Sequence, residues 1–168
     1  MMFELKDKCA LVTGATGGIG EAIARALHEQ GAHVAVSGTR AEKLQSLADD
    51  LGQRVSVLPC NLSELQQVDE LPKRAESEMG ALDILVSNAG ITRDNLMMRM
   101  KDEEWDELLA ANLTAYFRLA RACLRGMMKR RWGRIIGITS IVGVTGNPGQ
   151  VNYAAAKAGV QAMMRVLS

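Results

Sequence analysis

An alternation constrains this chain more than any other feature. Short runs of β-branched and aliphatic residues are separated by longer stretches of helical periodicity along the whole length. Cys9-Ala10-Leu11-Val12-Thr13 is the first run, and His33–Ser37, Val55–Leu58, Asp83–Val86 and Arg134–Thr139 follow. Between them Ile19, Ile23 and Leu27 recur at four-residue spacing, and the stretches from Ala41 to Leu51 and from Glu64 to Met79 read as helices, the second despite Pro72. A long helix is expected from Asp102 to about Arg130, with Trp105, Leu108, Leu109, Leu119 and Cys123 available for its apolar stripe. Another is expected from Asn152 to Ser168. Strands that are apolar at nearly every position must be covered on both faces, and strands joined through helices run parallel. Right-handed crossovers then give an α/β fold, a doubly wound parallel sheet of Rossmann type. Residues 1–168 read as one domain, without internal repeat, linker or low-complexity segment.

Composition narrows the function classes. Hydrophobic residues at 48% and charged residues at 23% are ordinary for a globular protein. A net charge of +1 gives no pull toward nucleic acid or an anionic membrane, and aromatics at 4% leave little for base stacking. Cys9, Cys60 and Cys123 form no C-x-x-C and read as reduced, buried thiols. His28 and His33 have no cysteine or carboxylate at ligand spacing, so no metal site is expected. No signal pattern opens the chain and no apolar run reaches membrane-spanning length, which implies a cytoplasmic protein. At the other end Val160, Met163, Met164 and Leu167 keep helical spacing with no stop signal, and the fifth strand would be left as a long apolar edge. Both features predict a chain cut short after the fifth strand and the helix that follows it.

Three groups of residues carry chemistry. Gly14-Ala15-Thr16-Gly17-Gly18-Ile19-Gly20 follows the first strand and opens a helix, a G-x-x-x-G-x-G spacing. Glycines there allow a tight turn and a close approach of backbone N–H groups to a pyrophosphate, which the helix dipole also favours. At the end of the second strand stands Ser37-Gly38-Thr39-Arg40, with no acid to accept ribose hydroxyls as an NAD site usually has. Arg40 suits a 2′-phosphate, hence NADP(H); a solvated first-turn arginine is the alternative. Third, Tyr153 and Lys157 lie four apart on one helix face, and Ser140 ends the fifth strand, where a hydroxyl can reach the crevice at the carboxyl ends of the strands. A phenol titrates near ~10 and is a poor proton donor and acceptor at neutral pH unless a cation stands beside it. Taken alone, such a Tyr/Lys pair is usually just an amphipathic helix with snorkelling ends.

Together these markers resemble the short-chain dehydrogenase/reductase family over the whole chain: Thr13 to Gly20, Asn88-Ala89-Gly90, Asn112, Ser140, and Tyr153 with Lys157. The resemblance implies that Tyr153 is the general acid in reduction and that Ser140 bonds the substrate carbonyl. Lys157 would hold the nicotinamide ribose and tune Tyr153, and Asn112 would anchor a relay water. Gly14, Ala15, Thr16, Gly17, Gly18, Ile19, Gly20, Thr39 and Arg40 would bind the phosphates, Asn61 and Leu62 would flank the adenine, and Asn88, Ala89 and Gly90 would line the cofactor cleft. Two stretches, Gly90 to Met100 and Gly146-Asn147-Pro148-Gly149-Gln150, resemble the 3-oxoacyl-(acyl-carrier-protein) reductases of the family. They imply reduction of a 3-oxoacyl thioester in fatty-acid biosynthesis, with another ketone such as a 3-oxoacyl-CoA, or a non-catalytic nucleotide-binding subunit, as alternatives. Lys129, Arg130, Arg131 and Arg134 are positioned either to meet an acidic acyl carrier protein or to complement a helix C-terminus. The helices around Trp105 to Met128 and from Asn152 resemble the family's dimer-forming pair and imply a homo-oligomer, a dimer of dimers. Ser87 replaces a frequent asparagine, and Gly17 stands where NADP-preferring relatives often carry a basic residue, so more of that preference falls on Arg40. Family members continue for roughly another third of a chain, through a further strand, a segment contacting the nicotinamide and a substrate lid. A polypeptide of only these residues would be poorly stable and weakly active.

Overall fold

A computed structural model describes residues 4–168. Five strands, β1 (Cys9–Thr13), β2 (His33–Ser37), β3 (Val55–Val57), β4 (Ile84–Ser87) and β5 (Arg134–Gly137), form one parallel sheet in the order β3-β2-β1-β4-β5. The connecting helices are α1 (Gly18–Glu29), α2 (Ala41–Leu51), α3 (Leu65–Met79), α4 (Asp102–Leu109), α5 (Ala115–Arg130), α6 (Val142–Thr145) and α7 (Val151–Leu167). Because successive strand residues point to opposite faces, the apolar runs feed two cores at once. Leu11, Ala35 and Leu85 pack under α3 and α5 against Leu71, Ala75, Leu119 and Cys123. Ala10, Val12, Val34, Val36, Ile84 and Val86 face the other way, toward Ala24 of α1 and Leu44 and Leu47 of α2. A smaller cluster of Tyr116, Ala120 and Val160 joins α5 to α7 beside β5.

The doubly wound architecture agrees with the sequence pattern, with four local differences. Ile19 was expected on the apolar stripe of α1 but is 64% exposed, because Gly20 and Ala24 are the buried residues of that helix. The expected continuous helix from Asp102 to Arg130 is interrupted at Ala110–Thr114 by a π-helical turn, in which the Ala115 N–H donates to the Ala110 carbonyl. The fifth strand stops at Gly137, although one further ladder bond, from Ile138 N–H to Ser87 O at 2.9 Å, extends the pairing. Ser140 therefore sits in the turn after the strand rather than at its last residue. Finally, a 3₁₀ turn (Met97–Arg99) and the short α6 occupy stretches to which the sequence pattern assigns no element. Among the described residues β5 pairs with β4 alone, at the margin of the sheet where the sequence put it, and Ile136 is 43% exposed.

Candidate active site

Successive strands run outward from β1 to β3 on one side and then from β4 to β5 on the other. The connections after β1 and β4 consequently diverge and open a crevice at the carboxyl ends of the strands. A cleft of about 310 Å³ lies there. It is lined from β1 by Thr13, Gly14, Thr16 and Gly17, from β2 by Ser37 to Arg40, from β3 by Cys60 to Ser63, and from β4 by Asn88 to Ile91. Ten of the residues expected to bind a nucleotide, Gly14, Thr16, Gly17, Thr39, Arg40, Asn61, Leu62, Asn88, Ala89 and Gly90, therefore meet in one place, while Tyr153 and Lys157 do not line it. Ala15, Gly18, Ile19 and Gly20 belong to the same loop and helix start without lining the cleft itself.

The loop is shaped by close backbone approaches. Gly14 has φ +64°, and a Cβ there would come within 2.8 Å of Ala89 Cα. At Gly20 a Cβ would overlap the Gly14 carbonyl oxygen and reach 2.5 Å from Asn88 Nδ2. Only glycine satisfies both positions. Thr13 Oγ1 accepts from the N–H groups of Asn88 and Ala89, each at 3.1 Å, and Asn88 Nδ2 donates to the carbonyls of Thr13 and Gly14 at 3.1 and 3.2 Å. The segment after β4 thus clamps the loop after β1. α1 begins at Gly18 with no side-chain cap, which leaves its first N–H groups without intrahelical partners, and nothing stands within 4 Å of a Cβ built at Gly18.

At the β2 side, the Arg40 guanidinium bends back over the loop. Its Nη2 donates to Thr16 O at 2.7 Å and to Thr16 Oγ1 at 2.8 Å, and its Nε to Thr16 Oγ1 at 3.1 Å. Of the described residues lining the cleft, Arg40 alone is charged. Ser37 is buried, and its hydroxyl has no hydrogen-bond partner among the described residues. Asn61 turns inward on itself, its Oδ1 accepting from Ser63 N–H at 3.1 Å, beside the buried Leu62.

The second half of the site stands on α7 and the turn after β5. Lys157 is 5% exposed; its Nζ donates to Ile138 O at 2.8 Å and lies 5.6 Å from the centroid of the Tyr153 ring. Burial pushes the Lys157 ammonium below the usual lysine range. Ser140 Oγ accepts from Val142 N–H at 3.2 Å, and Ser140 O accepts from Gln161 Nε2 at 3.2 Å. Asn112 sits in the π-helical turn, 4% exposed, and makes a two-bond pair with Ile91: Oδ1 accepts from the N–H and Nδ2 donates to the carbonyl, both at 2.8 Å. The side chain thus points from the widened turn to the Ile91 backbone, and it is the neighbouring Ala111 that lines the cleft. Among the described residues no hydrogen bond joins the Ser140, Tyr153 and Lys157 side chains to one another.

Sequence reasoning passed over Gln161, which fixes the Ser140 main chain. Its signal was present, because 153, 157 and 161 repeat at four-residue intervals on one face of α7. It also passed over Asn152, which is fully buried. The basic cluster is dispersed. Arg130 is held by Asp83 Oδ1 at 3.2 Å and Leu82 O at 2.6 Å, Arg131 closes α5 at φ +55°, and Arg134 stacks 5.0 Å from the Trp132 ring, whose centroid Lys8 approaches at 4.1 Å. Within one chain these groups lie at the start of β5, the opposite end from Ser140. Among the described residues no helix is long and apolar enough to cross a membrane, and no group of three His, Cys, Asp or Glu is placed to hold a metal ion.

Comparison with known proteins agrees with this geometry. The short chain dehydrogenase family profile matches residues 8–168. The chain is 60% identical over 159 residues to nodulation protein G of Rhizobium sp. strain N33, covering 95% of this chain and 65% of that protein. It is 53% identical over 156 residues to the 3-oxoacyl-(acyl-carrier-protein) reductase FabG of Vibrio cholerae, covering 93% and 64%. A solved structure described as a short-chain alcohol dehydrogenase from Sinorhizobium meliloti 1021 superposes with a TM-score of 0.93 at 35% identity, covering 99% of this chain and 68% of that one. The chain thus spans about two-thirds of the length of these relatives. It belongs to the short-chain dehydrogenase family.

Proposed function

We propose that this chain carries the cofactor cleft and the proton-donating residues of an NADPH-dependent reductase acting on a 3-oxoacyl thioester held by an acyl carrier protein. The observation that carries this is the pairing, on one helix face, of Tyr153 with a buried Lys157 whose ammonium is fixed on the Ile138 carbonyl. The residues present fit a dinucleotide. The Gly14 and Gly20 positions tolerate no Cβ, α1 opens without a side-chain cap, and the buried Ser37 hydroxyl is unpartnered beside the cleft. Gly14 to Gly20 would take the pyrophosphate, and Thr39 with Arg40 the ribose 2′-phosphate. Asn61 and Leu62 would flank the adenine, and Asn88, Ala89 and Gly90 would border the nicotinamide ribose with Tyr153 and Lys157. When bound, the reduced nicotinamide supplies the hydride equivalent that reduces the ketone carbon.

The protein's own groups supply the rest. Ser140 orients the ketone oxygen by donating a hydrogen bond to it, and the Tyr153 hydroxyl gives that oxygen its proton. Lys157 stabilises the negative charge left on Tyr153, at a position where low solvent access strengthens the interaction. Asn112 holds the Ile91 segment against the π-helical turn and keeps this side of the cleft in register. The acyl-carrier substrate is favoured over a CoA thioester by the 53% identity to a protein named for that activity. Fatty-acid biosynthesis in the cytoplasm and assembly as a homo-oligomer belong to the same proposal. Loss of reduced-nicotinamide absorbance with a short 3-oxoacyl thioester tests it. Faster turnover with NADPH than with NADH is expected; no turnover with either would overturn it.

A further inference from the structure

Asn152 is a polar side chain with no exposure to solvent, and its bonds converge on the residue beside it. Its Oδ1 accepts the backbone N–H of Tyr153 at 2.8 Å. Its Nδ2 donates to the carbonyls of Arg93, at 3.0 Å, and Glu104, at 3.4 Å. The first N–H groups of a helix lack intrahelical acceptors and are normally capped by the residue before the helix. Gln150 holds that place in α7 and makes no such bond, so Asn152 takes over the capping of Tyr153 from inside the first turn. The other end of the same amide is anchored in the β4–α4 connection and in α4. Those parts also hold the loop before α7, since Asn95 N–H donates to Gly149 O at 2.9 Å and Gln150 Nε2 to Asp94 Oδ2 at 3.0 Å.

We infer that Asn152 is a positioning residue, which fixes the main chain at Tyr153 against the β4–α4 connection so that the phenol keeps one place relative to Lys157. Lys157 anchors α7 one turn further on, through Ile138 O, and Asn152 is the matching anchor at the start of the helix. The inference rests on the reading of Tyr153 as proton donor. Alanine at 152 leaves a buried N–H and two carbonyls without their partners, and a displacement of about 1 Å at a reacting group can cost on the order of a hundredfold in rate.

The test is to measure kcat, KM for NADPH, the pH profile of kcat and Tm for Asn152→Ala and Asn152→Ser, each with Tyr153 intact and with Tyr153→Phe. With Tyr153 intact, kcat is expected to fall roughly tenfold or more with an altered pH profile and an unchanged KM for NADPH. With phenylalanine at 153, the same change should cause no further loss. Serine keeps an acceptor near the Tyr153 N–H but cannot reach the two carbonyls, so it should regain Tm without regaining kcat. A folded serine variant with the parent kcat and pH profile overturns the inference, as does an equal loss in both backgrounds. Full turnover by Tyr153→Phe alone would instead overturn the proton-donor reading beneath it.

Discussion

The two sides of the sheet are held in different ways. Every residue of β1 and β4, and all of β2 except His33, is buried between two helical layers. Among the described residues β5 alternates exposed and half-buried positions and pairs with β4 alone. The nucleotide-cleft residues hang from the first region, where Thr13, Ser37 and Ser87 at the strand ends are all buried. The proposed reacting groups hang from the second. There, discrete hydrogen bonds add to the packing of Tyr116, Ala120 and Val160: Lys157 to Ile138, Gln161 to Ser140, Asn152 to Arg93 and Glu104. Among the described residues the nucleotide side rests mainly on burial, with the Thr13 and Asn88 bonds added, whereas the proposed reacting groups are each tethered by an individual hydrogen bond.

Mutations and pH should separate the two regions. Leu85→Ala, at a position with no exposure in the α3/α5 core, should cost about 2–5 kcal/mol in denaturant unfolding. The same core should also respond to alkali. Burial, with Glu76 nearby adding to it, pushes the Cys123 thiol from its ordinary 9.0 up to about 12. The unfolded chain loses this proton first, so stability should be unaffected below about pH 9 and fall as pH rises from there toward 12. The slope approaches about 1.4 kcal/mol per pH unit, and Cys123→Ala should flatten it. Arg40→Ala should weaken NADPH binding by roughly tenfold while sparing NADH, as lost charge-assisted bonds to a phosphate require. Equal weakening of both would remove Arg40 from the 2′-phosphate site. The smallest effect, in a polypeptide of residues 1–168, belongs to β5: Ile136→Ala, 43% exposed there, should change unfolding by no more than about 0.5 kcal/mol. A loss there as large as that at Leu85 would erase the contrast.

How far the sequence revealed this molecule follows the same division. The strands of the buried region were legible because both of their faces demand apolar residues, and β1, β2 and α2 lie where periodicity put them. The glycine loop was legible because spacing alone implies a backbone approach that side chains forbid. The β5 side was harder to read. No periodicity announces a π-helical turn, since Ala110 to Thr114 continue an ordinary helical pattern and only the backbone bond from Ala115 N–H to Ala110 O marks it. Asn152 was hidden for a related reason, as its partners are main-chain carbonyls far away in the chain and carry no side-chain signature. Ile19 misled because an apolar residue at helical spacing was taken to face the core, while the close packing at Gly20 turns it outward.

The central claim is that most of the proposed nucleotide contacts and the proposed proton donor reside in separately supported regions. It is tested most directly by measuring NADPH affinity and 3-oxoacyl thioester turnover in the same preparation of Tyr153→Phe. The account predicts NADPH affinity close to that of the parent protein and turnover reduced by at least about a hundredfold. Turnover at the parent rate would contradict it, because the proton would then come from another group.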